Sequence, residues 1–194
     1  MHKLKIILTG PLYVGKTTFL KCLQHCVYRE SKSDKKIDEL EFDNNPFLVP
    51  VSVGFEEFNI CYKEKYLLKI IKIDSQPNYK LDRTSFFEIA DIAILMFSLI
   101  NQQPLEDLNE LYNEAKSFGK KNPHIVIVGS KVDEWEQKKK KDKDKWEDTK
   151  EKVEDEIKKT LAIDPHLINC KKEKDVSKIL DEIIEIVETV NSNV

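Results

Sequence analysis

The sequence predicts an α/β fold, with a mainly parallel six-stranded sheet, one antiparallel edge strand and helices on both faces. Short, continuously apolar segments alternate with longer segments whose apolar residues recur every three or four positions, which is typical of buried parallel strands joined by helices. Two alternating segments, 55–62 and 66–73, lie close together in the chain and predict an antiparallel hairpin. A glycine-bounded loop joins the first strand to the first helix, and ligands bind at that end of such sheets.

The remaining elements can be justified in chain order. The first strand is expected over 4–8, and the first helix runs from the loop after it to about Val27. Residues 29–50 are polar and then interrupted by proline, so we expect a long loop there. Residues 75–85 also predict a loop, before a short helix at 86–90. After it, strands alternate with amphipathic helices: strand 92–99, helix 105–118, strand 125–128, helix 146–161, strand 166–170 and helix 176–190.

The composition predicts one soluble globular domain, 1–194. Apolar residues make up 40% of the chain and charged residues 35%, enough for a buried core and a solvated surface. The net charge of −3 argues against nucleic acid as a partner. The four cysteines lack metal-ligand spacing and are expected to be reduced. The sequence has no signal peptide, no membrane-spanning run and no prenylatable C-terminal cysteine. We therefore expect a cytoplasmic, monomeric protein without a stable membrane anchor, which reaches membranes only through partners.

The most specific motif is the sequence GPLYVGKT at 10–17, which fills the pattern G-x-x-x-x-G-K-[ST] between a strand and a helix. Backbone N–H groups of such a loop curl around a phosphate, and the helix N-terminus adds its own N–H groups. Lys16 would reach the β- and γ-phosphates, and the Thr17 hydroxyl would hold Mg²⁺. A turn that merely contains glycines is the alternative, and the Lys-Thr pair argues against it. The expected phosphate contacts are Gly10, Tyr13, Val14, Gly15, Lys16, Thr17 and Thr18.

Three further segments lie at predicted strand ends. Asp74 ends an apolar strand, where a phosphate-loop protein needs a carboxylate to hold a Mg²⁺-bound water. Asp133 can accept hydrogen bonds from N1–H and the 2-amino group of guanine, a pattern that adenine lacks, while the Lys131 stem would lie over the purine. A backbone N–H near Cys170 would donate to the guanine O6 atom. The expected base contacts are Ser130, Lys131, Asp133, Asn169, Cys170 and Lys171.

These segments resemble the motifs of the small GTPases of the Ras superfamily, most closely the Rab and Ras type, over nearly the whole chain. The family's D-x-x-G motif falls on 74–77, its N-K-x-D on 130–133 and its S-A-K on 169–171. Its switch I motif, T-I-G in Rab proteins, aligns with 52–54, directly before the hairpin.

The resemblance implies a small G domain of the P-loop NTPase class that binds GTP and GDP with Mg²⁺ and hydrolyses GTP. By resemblance, Thr17, Ser52 and Asp74 would hold the metal ion, and Lys16 would act at the phosphates. Tyr28, just past the predicted first helix, takes the place of the aromatic residue that covers the guanine. The two switch loops would bind protein effectors or regulators.

Three departures from the family pattern concern hydrolysis. Pro77 replaces the glycine whose N–H senses the γ-phosphate, and proline has no N–H. Asn78 replaces the glutamine that orients the attacking water and is one methylene shorter. Leu12 would crowd that water and an incoming arginine finger. Because water orientation and the finger contribute several orders of magnitude to the rate, we expect weak hydrolysis, with Asn78 a weak or non-functional catalytic residue beside a retained Lys16.

Other departures concern the base and the loops. Ser130 stands where the family has asparagine, so it loses the amide that ties the base loop to the phosphate loop, and a hydroxyl keeps one hydrogen bond. We expect somewhat weaker nucleotide affinity. The switch I region, about 29–54, and a charged insertion, about 134–152, are long for a minimal domain, and each is either a partner surface or a tolerated surface insertion. The charge run at 138–145 is expected to be solvated.

Three functions remain open from the residues. The leading one is a divergent small GTPase in which the nucleotide controls binding of a protein partner. A pseudo-GTPase scaffold or adaptor that does not cycle is the first alternative. A P-loop kinase of small molecules is the second, and the hairpin before Asp74 argues against it. The scarcity of arginine, with only Arg29 and Arg83, also argues against the arginine-rich lid of such a kinase.

Overall fold

A seven-stranded sheet forms the centre of the molecule. The computed structural model describes residues 2–31, 48–52, 55–62, 65–101, 104–146 and 149–192. The strands are β1 (His2–Gly10), β2 (Leu48–Ser52), β3 (Phe55–Tyr62), β4 (Tyr66–Asp74), β5 (Ile92–Ser98), β6 (His124–Ser130) and β7 (His166–Leu167). Their order across the sheet is β2-β3-β4-β1-β5-β6-β7. β3 is antiparallel to both neighbours and the other pairings are parallel, which confirms the predicted α/β class.

Two strands differ from the prediction. β2 lies in a segment predicted as a loop, and it adds an edge strand by pairing Leu48 with Phe58 of β3. The antiparallel strand β3 is therefore second from the edge. β7 is shorter than the predicted strand 166–170, because the backbone N–H of Asn169 donates to the Asp175 carboxylate at 3.0 Å instead of joining the sheet. Most of the predicted long loop, 32–47, lies outside the described residues.

Seven helices pack on this sheet within the described ranges: α1 (Lys16–Ser31), α2 (Lys80–Ile89), α3 (Pro104–Phe118), α4 (Val132–Lys141), α5 (Lys143–Trp146), α6 (Thr149–Leu161) and α7 (Glu173–Ser192). The loop predicted at 75–85 is wrong in its second half, because a 3₁₀ turn at Pro77–Tyr79 leads directly into α2. The fixed φ of Pro77 suits a first helical position. Arg83 and Phe87 then anchor α2 through burial.

Most of the charge run at 138–145 is helical, divided between α4 and α5 at Asp142, whereas the sequence predicts a helix that begins near Trp146. Lysine is a good helix former, and α4 buries Trp135 while its lysines face outward. The ammonium groups of Lys138 and Lys145 lie 4.8 and 6.0 Å from the ring centre of Trp146, within the range of cation–π attraction. The run therefore forms a solvated helix face.

Two apolar layers cover the two faces of the sheet. Alternation along β1 directs Ile6 and Leu8 to the layer shared with α1 and α7, and Ile7 to the layer shared with α2, α3 and α6. Every residue of β5 is buried, as expected for a central strand covered on both faces. The four cysteines are free thiols. Among the described helices, none combines the length and apolarity needed to cross a membrane.

Candidate functional site

The loop between β1 and α1 is shaped by two glycines. A Cβ on Gly10 would lie 2.4 Å from the carbonyl oxygen of Met96 in β5, so no side chain fits there. Gly15 has a φ of +103°, a conformation that other residues rarely adopt. Tyr13 also has a positive φ, 60°, and its ring is exposed, whereas Val14 is buried. The backbone consequently curls over the start of α1, which is the shape that phosphate binding needs.

The Lys16 ammonium lies inside this loop. Its Nζ donates to the carbonyl oxygens of Gly10 and Pro11, each at 2.8 Å, and pairs with Asp74 Oδ1 at 2.5 Å. Burial lowers the pKa of Lys16, and the hydrogen bond from its ammonium to Asp74 opposes that change. The predicted phosphate ligand and a predicted metal ligand are therefore neighbours, and a phosphate in the loop would compete with Asp74 for the ammonium.

The predicted magnesium ligands meet different neighbours. The Thr17 hydroxyl oxygen accepts a hydrogen bond from Lys72 Nζ at 3.0 Å, and Asp74 is paired with the lysine of the phosphate loop. Ser52 is the last residue of β2, and its side chain is outside the described part. A hydroxyl and a carboxylate are oxygen donors of the kind that Mg²⁺ prefers. Thr17 and Asp74 thus fit this ion by chemistry and placement, although each faces an ammonium group.

Lys72 lies beside the candidate site, although no motif in the sequence points to it. It lies two residues before Asp74 in β4, and residues i and i+2 of a strand project to the same face. The two-residue spacing is the feature of the sequence that could indicate this position, because it places a lysine of a largely buried strand on the same face as the predicted metal ligand Asp74.

Ser130 connects the predicted base loop to the phosphate loop. Its hydroxyl oxygen lies 2.6 Å from the carbonyl oxygen of Val14 and 2.9 Å from that of Phe97, and its one proton is donated to one of them at a time. The side chain is 1% exposed. Lys131 follows with a left-handed φ of 63° and leads into the first turn of α4, which contains Asp133. The Ser130 hydroxyl, with its one proton, thus still links the base loop to the phosphate loop.

The two predicted base segments also meet each other. Lys171 Nζ donates to Asp133 Oδ2 at 3.1 Å, and the hydrogen bond and charge of Asp133 raise the pKa of Lys171. Asn169 Oδ1 accepts the backbone N–H of Lys171 at 3.0 Å, a local turn that shapes the segment. Residues 38 positions apart in the chain thereby line one corner of the site.

Cys170 packs beneath the phosphate loop. A Cβ placed on Gly15 would lie 3.8 Å from Cys170 Sγ and 3.9 Å from Ser130 Cβ, so the phosphate loop and both base segments converge here. Burial raises the pKa of the Cys170 thiol to about 12, and the Asp133 carboxylate adds to that rise. The thiol is a packing group at this place, and only the backbone of Cys170 is available to a base.

Tyr28 lies inside α1, so the prediction that it follows the helix is wrong. The helix continues to Ser31. Its second half contacts the start of α7: His25 Nδ1 lies 2.7 Å from Glu173 Oε1, and Cys26 Sγ donates to the Glu173 carbonyl oxygen at 3.7 Å. That contact also brings this end of α1 toward the segment 169–171. A role for Tyr28 as the cover of a guanine stays a prediction.

The segment after Asp74 is ordered by its own contacts. Arg83 Nη1 donates to the carbonyl oxygens of Asp74 and Gln76, both at 3.1 Å. Pro77 opens the 3₁₀ turn, and Asn78 is exposed within it. The sequence around Arg83 gives no sign of this role, because the two carbonyl oxygens come within reach only when α2 folds back on the end of β4.

Leu12 lies on the outer side of the phosphate loop. Its side chain is 46% exposed and lines a cavity of about 230 Å³ with Tyr13, Ile100 and Lys131 among its walls. This cavity lies where the phosphate loop meets the segments that follow β5 and β6, and the crowding of the attacking water by Leu12 stays a prediction.

The chain is similar in sequence to Ras-related proteins. A sequence model of the Ras family matches residues 5–189. Identity to the Ras-related protein RabQ of Dictyostelium discoideum is 26% over 132 residues, covering 68% of this chain and 58% of that protein. Identity to the Ras-related protein Rab-19 of Mus musculus is 24% over 139 residues, covering 69% and 55%. For the Ras-related protein Rab-27B of Homo sapiens it is 27% over 144 residues, covering 68% and 59%. The chain thus spans less than two thirds of the length of each of these relatives.

Proposed function

The chain belongs to the Ras family of small GTPases, and on that basis we propose that it binds GTP and GDP and acts as a nucleotide-dependent binder of a protein partner. The observation that carries this proposal is the convergence of three segments on one corner of the sheet. The phosphate loop meets Ser130 through Val14, and Asp133 meets Lys171 from the last segment. The groups expected to bind the phosphates and those expected to bind the base therefore lie at the same corner of the sheet.

Asp133 supports a preference for guanine. Its carboxylate is an acceptor pair for the N1–H and 2-amino groups of guanine, whereas adenine offers an acceptor at N1. Its partner Lys171 is 67% exposed, so the ammonium can swing into solvent when a base arrives. Ser130 fixes the base loop relative to the phosphate loop, because its buried hydroxyl donates a hydrogen bond to the carbonyl oxygen of Val14.

Lys16 and the loop backbone support phosphate binding. The Lys16 ammonium exchanges the carbonyl oxygens of Gly10 and Pro11 for phosphate oxygens, which are stronger, charged acceptors. Thr17, Ser52 and Asp74 would hold Mg²⁺ with the nucleotide, and the ion would supply positive charge that offsets the charge of the phosphates.

Hydrolysis by this site is expected to be slow. Pro77 has no N–H for a γ-phosphate, and Asn78 is exposed in the 3₁₀ turn. Arg83 holds the carbonyl oxygens of Asp74 and Gln76, which restricts closure of this segment over the phosphates. The switch regions are the expected surface for protein effectors or regulators, as in other members of the family.

Two measurements test the proposal. Purified protein is denatured, and the released nucleotide is separated by chromatography, with Asp133→Ala as the matched variant. We expect GDP or GTP from the unmodified chain and little from the variant. Single-turnover hydrolysis of labelled GTP follows. Protein that carries no guanine nucleotide and acquires none on incubation contradicts the proposal, whereas bound GTP that stays intact identifies a scaffold that does not cycle.

A further inference from the structure

Lys72 brings a second ammonium group to the phosphate-loop end of the sheet. Its Nζ donates to the Thr17 hydroxyl at 3.0 Å and to Glu56 Oε1 at 2.7 Å. Lys72 is 13% exposed, so most of this side chain is shielded from solvent. Glu56 lies directly opposite Lys72 in the register of β3 and β4, and this cross-strand pair holds the ammonium against the start of α1.

A cross-strand ion pair alone would not explain this placement. Lys69 lies in the same strand and pairs with Glu57 of β3 at 2.9 Å, but an odd number of positions separates it from Lys72, which puts it on the other face of the sheet. Lys69 is also more exposed, at 40%. The distinguishing feature of Lys72 is its hydrogen bond to Thr17, the hydroxyl expected to hold the metal ion.

Two ammonium groups therefore flank the position where the phosphates would lie. Lys16 occupies the inside of the loop and Lys72 the side facing Thr17. The charge of Lys72 contributes to lowering the pKa of Lys16, after the larger effect of burial, which indicates that the two groups are close enough to interact. A divalent cation coordinated by Thr17 would have to displace Lys72 from that hydroxyl and would be repelled by its charge.

We propose that the Lys72 ammonium performs part of the task of the magnesium ion, so that the chain retains guanine nucleotide with little dependence on Mg²⁺. An ammonium is a compact charge with three donors, and Thr17 and Glu56 use two of them. The third is available to a phosphate oxygen. This inference rests on the proposed nucleotide binding, and it assigns Lys72 as a phosphate-binding residue.

The test is the dissociation rate of a fluorescent GDP analogue, measured with Mg²⁺ and with excess EDTA. The unmodified chain is compared with Lys72→Met, which keeps the length and removes the charge, and with Lys69→Met as the matched control from the same strand. EDTA is expected to change the rate of the unmodified chain and of Lys69→Met by no more than about threefold, a small free-energy difference. For Lys72→Met we expect EDTA to accelerate dissociation of the GDP analogue by about tenfold or more, which corresponds to the free energy of one charge-assisted hydrogen bond.

Each outcome decides the question. Equal EDTA sensitivity in the unmodified chain and Lys72→Met overturns the inference, as does a large EDTA effect in the unmodified chain. The second result needs no variant, so it decides the matter even if Lys72→Met does not fold. Absence of nucleotide binding both with and without Mg²⁺ overturns the proposed function itself. Tight binding that requires Mg²⁺ overturns only the inference about Lys72.

Discussion

Arg83 and Glu114 form a buried, two-pronged ion pair that fastens α2 to α3. Arg83 Nε donates to Glu114 Oε2 at 2.8 Å, and Nη2 donates to Oε1 at 2.9 Å. The two side chains are 1% and 5% exposed. Because Nη1 of the same guanidinium holds the carbonyl oxygens of Asp74 and Gln76, the pair also fixes the segment that begins at the end of β4. By the alignment of the D-x-x-G motif, this segment is the expected switch II, and the guanidinium of Arg83 holds its start.

Replacing Arg83 by methionine is expected to lower the free energy of unfolding by about 3 kcal/mol, because the buried Glu114 carboxylate loses both guanidinium hydrogen bonds and is left with Lys80 Nζ, 3.4 Å away. Urea unfolding followed by circular dichroism measures the loss. The double variant Arg83→Met, Glu114→Leu should recover much of the lost stability, because two apolar side chains leave no carboxylate in this buried place.

A surface pair provides the control for this experiment. Lys120 and Glu88 are 72% and 39% exposed and lie 2.6 Å apart, and exposed pairs contribute about 0–1 kcal/mol. Lys120→Ala should therefore change stability by less than about 1 kcal/mol. If Arg83→Met lowered the free energy of unfolding by no more than Lys120→Ala does, the buried pair would not have the anchoring role assigned to it.

Ser130→Ala should loosen the link between the base loop and the phosphate loop. The substitution leaves the buried carbonyl oxygens of Val14 and Phe97 without this donor, a loss of about 1–3 kcal/mol in the free energy of unfolding. Bound GDP should also dissociate faster than from the unmodified chain. Ser177→Ala is the control, because its hydroxyl donates to the Lys174 carbonyl oxygen within α7, and its effect should stay within about 0.5 kcal/mol. Equal stability and equal GDP release in the two variants would contradict the role of Ser130.

The strands that could be predicted are those with a continuous apolar run or a regular alternation of apolar and polar residues. The run from Ile92 to Phe97 is apolar throughout, and buried residues alternate from Phe58 to Tyr62 in β3, so local pattern alone identifies these strands. β2 was missed because its sequence LVPVS contains a proline, which argues against a strand except at an edge. The edge is where it lies.

The site could be predicted only as far as its contacts are encoded in motifs. Gly10, Lys16 and Asp133 stand in fixed spacings whose chemistry is general. The contact of Lys72 with Thr17 joins residues 55 positions apart, and that of Arg83 with Glu114 joins residues 31 apart. Such pairs depend on how β4 and α2 pack against other elements, which no local pattern specifies.

Thiol labelling should separate the exposed and buried cysteines. The thiolate is the reactive form, and a pKa of about 12 for Cys170 means that the thiolate appears only well above neutral pH. At pH 8 roughly one Cys170 in ten thousand would be ionised. We expect Cys61, which is exposed, to react first with a disulfide reagent in the native protein. Cys170 should react only after unfolding.

The variant Cys61→Ser is the control for that labelling. It should remove the fast phase and leave the slow phases unchanged, and denaturant should then expose the remaining thiols. Mass spectrometry assigns each modified residue. Modification of Cys170 at the rate of Cys61 in the folded chain would show that the thiol is not packed beneath the phosphate loop as described.

Asp133→Ala should remove the preference for guanine over adenine. The carboxylate is the group expected to accept both guanine donors, and loss of charged hydrogen bonds of this kind corresponds to about 1.5–3 kcal/mol each. Competition of GDP and ADP against a fluorescent nucleotide measures the preference. Glu134→Ala, the adjacent acidic residue in the first turn of α4, is the matched control and should bind like the unmodified chain. Unchanged selectivity in Asp133→Ala would exclude it as the base-reading residue.

Single-turnover hydrolysis tests whether three departures act on one chemical step. The unmodified chain should hydrolyse GTP more slowly than the intrinsic rate of Ras, about 3–5 × 10⁻⁴ s⁻¹. Asn78→Gln alone should restore little, because Pro77 still offers no N–H and Leu12 would still crowd the attacking water. Combining it with Pro77→Gly and Leu12→Gly should raise the rate by about tenfold or more, since positioning of the water and stabilisation of the phosphoryl group reinforce each other. A rate in the unmodified chain equal to that of Ras, or full recovery by Asn78→Gln alone, would contradict the assignment of a shared defect to these three residues.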